Sequence, residues 1–86
     1  MKPFSVIEQT HLNYLLDTIK EAFPDAEVWQ EKRDINGYLY NCIILSDKDV
    51  FLSNDFQVLY ADVVQKYLYP KKLYNYLVLV DSKKNG

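Results

Sequence analysis

Cysteine, histidine, tryptophan and arginine each occur once in these 86 residues, glycine only twice and proline three times. A single cysteine, Cys42, cannot close a disulfide within the chain, and with His11 as the one histidine no Cys/His set exists for a structural zinc. So little glycine and proline excludes collagen-like and linker sequences. No apolar run approaches a membrane span, and Met1 to Ser5 lacks the apolar stretch of a signal peptide, so the expectation is a cytoplasmic protein without a membrane partner. Nine of the ten cations are lysines. Arginine forks onto phosphates and base edges, so its reduction to Arg33 argues against dedicated nucleic-acid recognition.

What is present is apolar and aromatic: 49% hydrophobic residues, eight tyrosines and a net charge of -2. That is a globular composition, and the length suits one domain, residues 1–86, with an ordered core of about residues 5–80 and a polar tail over 81–86. A domain this small buries only about 60 to 65% of the surface its unfolded chain exposes, which leaves little core to spare.

Ser5 and Glu8 form a capping-box pair, and Leu12, Leu15, Leu16, Ile19 and Phe23 then recur at helical spacing before Pro24. A first helix is expected from Val6 to Phe23. Ala26 to Arg33 reads as a strand. Asn36-Gly37 is a tight-hairpin dipeptide, because both residues tolerate positive φ, and a second strand follows over Tyr38 to Leu45. Val50 to Leu52 is either a short strand or a lead into the next helix. Asn54 and Gln57 resemble a cap, and Phe56, Leu59, Tyr60, Val63, Val64, Tyr67 and Leu68 follow a helical stripe up to Pro70. Leu73 to Val80 is the last strand.

The order is α-β-β-(β)-α-β. It predicts an α+β two-layer sandwich, with two helices on one face of a three- or four-stranded, mainly antiparallel sheet. The second and last strands are apolar on both faces, which suits a sheet covered twice, yet two helices cover only one side. Tyr38, Tyr40, Cys42 and Ile44 share one face by alternation. Tyr74, Tyr76, Val78 and Val80 are expected beside them, with Trp29 joining from the first strand. The candidate interaction residues are therefore Trp29, Tyr38, Tyr40, Ile44, Tyr74, Tyr76 and Val78.

Chemistry-bearing motifs are sparse. His11 has no neighbouring general-base partner in sequence, and Cys42 lies mid-strand with nothing nearby to lower its pKa. Asp47, Asp49 and Asp55 are spaced poorly for a calcium loop, since Phe51 occupies a ligand position and no glycine makes the turn. The element order is also that of the restriction-nuclease superfamily, but Val50 to Asn54 carries no acidic-spacer-lysine motif. The reading is thus no catalysis, no cofactor and no metal.

Leu15-Leu16, Ile19, Ala22-Phe23-Pro24-Asp25-Ala26-Glu27-Val28 and the strand from Tyr40 to Ser46-Asp47 resemble the first half of the BolA family, over about Leu12 to Asp47. The resemblance implies a small sheet with its helices on one side. The family's arginine- and histidine-bearing helix segment has no counterpart in Asp55 to Leu68, and its last-strand histidine is absent from Leu73 to Leu77, so no functional residue carries over.

The functional expectation is a non-catalytic protein-interaction module, a regulator or inhibitor among such roles, binding another protein or a second copy as a homodimer through the tyrosine face. The alternative is a single-stranded nucleic-acid binder using the same face with Lys66, Lys71, Lys72, Lys83 and Lys84.

Overall fold

The structure, a computed structural model, describes residues 4–82. The elements in chain order are α1 (Val6–Ala22), β1 (Val28–Ile35), β2 (Tyr38–Leu45), α2 (Lys48–Leu52), α3 (Asn54–Val63), a π-helical turn (Val64–Leu68) that continues α3, and β3 (Tyr76–Val80). The expected tail falls outside the described residues from Lys83 onward.

Local chemistry sets most boundaries. The Ser5 hydroxyl accepts from the Glu8 N–H at 3.1 Å while Glu8 Oε1 accepts from the Ser5 N–H at 2.9 Å, a reciprocal cap that starts α1. Asn36 and Gly37 take positive φ of 55° and 87°, and the Asp34 carboxylate accepts from the Gly37 N–H, closing the hairpin between β1 and β2. Val50 to Leu52 is helical rather than a strand, because Asp47 caps α2 by accepting from the Asp49 and Val50 N–H groups. The next cap is Ser53, one residue before the expected Asn54: its hydroxyl accepts from the Phe56 N–H. Gln57 donates instead to the Phe51 carbonyl.

The fold is α+β, with a three-stranded mixed sheet in the order β1-β2-β3. β1 and β2 are antiparallel, with Trp29 opposite Ile44 and Arg33 opposite Tyr40. β3 runs parallel to β2, with Asn41 opposite Tyr76 and Ile43 opposite Val78. A parallel partner needs a long crossover, which α2 and α3 supply.

One core holds these layers together. Leu12, Leu15 and Ile19 of α1 and Phe56 and Val63 of α3 pack with Leu68 onto Ile43, Leu45, Tyr76 and Val78 of the sheet. The helix-facing side of the sheet is therefore the one bearing Asn41, Ile43, Leu45, Tyr76 and Val78. This corrects the expected contact surface: Tyr76 and Val78 do not share a face with Tyr40 and Ile44. Leu73 to Asn75 lie outside the strand, with Tyr74 and Asn75 in a turn, so Tyr74 lies off the sheet, exposed, with its ring edge-on to Tyr69 at 5.7 Å.

Candidate functional site

Two side-chain groups invite a functional reading. The first is polar and lies on the helix side. Asn41, buried on the central strand, donates through Nδ2 to Glu8 Oε2 at 3.1 Å, and Lys32 Nζ stands 3.3 Å from both Glu8 oxygens. The Glu8 pKa is lowered to about 2, first by the Ser5 N–H, then by Asn41 and Lys32. A carboxylate so fully engaged holds its charge and is a poor base. His11 Nδ1 lies 2.8 Å from the Tyr67 hydroxyl, and its ring meets Tyr67 and Tyr76 edge-on at 5.7 Å each. Tyr14 stacks on Tyr67 at 3.8 Å. Burial raises the Tyr67 and Tyr76 hydroxyls, the latter opposed by its hydrogen bond to Asn41. These groups tie α1 to the sheet and to the π-helical turn. Among the described residues no three of His, Cys, Asp and Glu converge as metal ligands would.

The second group is the other face of the sheet. By the register it carries Trp29, Glu31 and Arg33 of β1, Tyr38, Tyr40, Cys42 and Ile44 of β2, and Leu77 and Leu79 of β3. The apolar residues of this face are absent from the helix-packed core cluster. Cys42 and Ile44 are nonetheless 0% exposed, and burial pushes the Cys42 thiol pKa up. Arg33 runs across this face. Its Nε donates to Glu31 Oε1 at 3.0 Å, and Nη2 meets Asp81 Oδ2, just past β3, at 2.9 Å. The hydrogen bond to Asp81 raises the guanidinium pKa further. Trp29 Nε1 donates to the other Glu31 oxygen at 2.6 Å. One guanidinium thus ties the first strand to the end of the third, a span for which the planar fork suits arginine better than lysine.

Of the residues expected to form the contact surface, the structure brings Trp29, Tyr38, Tyr40 and Ile44 together here. It separates Tyr76 and Val78, which are buried under the helices, and Tyr74, which lies in a turn. Sequence reasoning missed Glu31, Arg33, Leu77, Leu79 and Asp81. The spacing of Trp29, Glu31 and Arg33, an aromatic and two opposite charges on one strand face, was the available signal for the first two. The lysines are elsewhere: Lys66 pairs with Asp62, and Lys71 sits over the Tyr67 ring at 5.2 Å on the helix side. Lys72 is in the turn that follows, and Lys83 and Lys84 fall outside the described residues. The aromatic face and these described lysines do not form one surface.

Comparison with family models, curated proteins and solved structures finds no match to this chain. No helix among the described residues is long and apolar enough to cross a membrane.

Proposed function

We propose that the protein is a non-catalytic binding module that associates reversibly with a second copy through the helix-free face of its sheet. The observation that carries this reading is the half-buried set Trp29, Tyr40, Leu77 and Leu79 around Cys42 and Ile44, crossed by the Arg33 pairs to Glu31 and Asp81, on a face whose apolar side chains stand outside the helix-packed core. An apolar sheet face gains stability when a second layer covers it. A twofold contact covers both copies with one patch, and sheets stack face to face at about 10 Å.

Size decides how strong such a contact is. Three strands about 4.8 Å apart and four or five residues at about 3.3 Å each present on the order of 200 Å², against about 800 Å² per partner in a standard stable interface. Tyr38, 71% exposed at the hairpin end of the same face, enlarges the patch. The contact is therefore weak and concentration-dependent. The likeness to BolA stands as a proposal about the scaffold alone, without the family's ligating histidine.

Trp29, the single tryptophan, lies on this face and reports its covering directly. Sedimentation and Trp29 emission across a concentration series should show mass rising toward that of a dimer together with a shift in emission. Tyr40→Lys with Leu79→Lys should remain monomeric with unchanged far-ultraviolet circular dichroism. A wild-type chain that stays monomeric at millimolar concentration, with constant Trp29 emission, would overturn the reading.

A further inference from the structure

The opposite layer carries a second surface. Between the C-terminal part of α1 and α3 an open groove of about 440 Å³ runs over Ala22, Phe23, Val58 and Leu59, walled by Asp55 and Asp62. Adjoining depressions extend it past Glu21 on one side and round Asp25 and Asp47 at the end of α1 on the other. All the charged side chains lining these depressions are carboxylates. Asp62 shares its charge with Lys66, an exposed pair at 2.9 Å that solvent largely screens. The helix ends do not alter this sign: the C-terminus of α1 and the N-terminus of α3 each carry about half a charge, and the two oppose each other. Val58, an apolar side chain lining the groove, is 60% exposed.

We propose that this groove receives the apolar row of an amphipathic helix from another protein whose flanking residues are lysines and arginines. A groove between two helices is the shape a third helix fills, and the carboxylate walls select cationic flanks. A nucleic acid is repelled by the same walls. A second copy offers no helix with cationic flanks: α3 exposes Asp55 and Asp62 and carries no lysine or arginine, and in the C-terminal half of α1 the single Lys20 stands between the exposed Asp17 and Glu21. A small ligand would leave much of itself in solvent in a depression so open.

The test uses the full chain and three labelled synthetic peptides: a leucine and lysine sequence at amphipathic helical spacing, its glutamate counterpart, and a scrambled version of the first. Fluorescence anisotropy gives the affinities, and amide chemical shifts locate the contact. The basic helical peptide should bind saturably, shift the amides of Ala22, Val58 and Leu59, and leave those of Trp29 and Leu77 in place. Val58→Gln, which keeps the charge, should weaken binding about tenfold, as should Glu21→Lys. Both sites are exposed, so circular dichroism should show the variants folded. Equal binding of the acidic or scrambled peptide, indifference to Val58→Gln, or shifts confined to the sheet face would overturn the proposal. Failure of sheet-face association leaves these readouts untouched, so the two readings fail separately.

Discussion

At the scale of single residues, Glu8 has the most consequential position. It belongs to the helix cap through Ser5 and to the sheet through Asn41 and Lys32, so one carboxylate fixes where α1 begins and how it lies on the strands. Its folded pKa of about 2 lies below the ordinary 4.5. The charged form is therefore favoured by folding, and its contribution is complete above the ordinary pKa and lost as pH falls through the folded one. A tenfold change in proton affinity is equivalent to about 1.4 kcal/mol. With the side chain 27% exposed, solvent screening leaves about 2 kcal/mol. Urea unfolding of wild type and Glu8→Gln should show the variant less stable by roughly that amount at neutral pH, with the gap narrowing between about pH 5 and pH 2. A gap of constant size at every pH would mean that the Glu8 charge contributes nothing.

At the scale of elements, β3 separates what the sequence disclosed from what it could not. Its register puts Val78 under the helices, where the Val78 N–H donates to the Tyr60 hydroxyl at 3.1 Å, and leaves Leu79 on the helix-free face. Val78→Asp buries an unpaired charge at a cost of several kcal/mol, enough to unfold a domain whose total stability is about 5 to 15 kcal/mol. Leu79→Asp leaves the carboxylate at a half-open surface, so the chain should stay folded. Thermal unfolding of the two variants checks this, and the reverse order would show that the strand presents its other face to the core. The capping box of α1, the Asn36-Gly37 hairpin and the helical stripe from Phe56 to Leu68 were legible because each is written in residues close together in the chain. The face that β3 presents was not. Leu73 to Val80 is apolar on both sides, so alternation gives no parity, and the deciding partners, Asn41 for Tyr76 and Tyr60 for Val78, come from distant elements. The same ambiguity split the candidate site: Trp29, Tyr38, Tyr40 and Ile44 could be placed together from local pattern, whereas Tyr74, Tyr76 and Val78 could not. Leu77, Leu79 and Asp81 entered the face only through the parallel pairing.

At the scale of the molecule, the radius of gyration of 12.6 Å is close to the roughly 12 Å expected of a compact chain this long, and the two layers leave the proposed surfaces on opposite sides. The sheet face is built from β1, β2 and β3, and the groove from α1 and α3, with the core of Leu15, Ile19, Phe56 and Val63 between them. Coupling between two sites requires an element with two arrangements that both sites bias. The core here is joined by buried apolar contacts, and the side chains of one surface contribute nothing to the other. Substitutions so placed act additively. The basic amphipathic peptide should therefore bind Tyr40→Lys as tightly as wild type, and Val58→Gln should self-associate with the wild-type concentration dependence. Sedimentation of wild type with saturating peptide provides the decisive measurement. A monomer–dimer midpoint that moves by more than about threefold, a change of about 0.7 kcal/mol, would show that the helix layer transmits to the sheet and that the two faces act as one device.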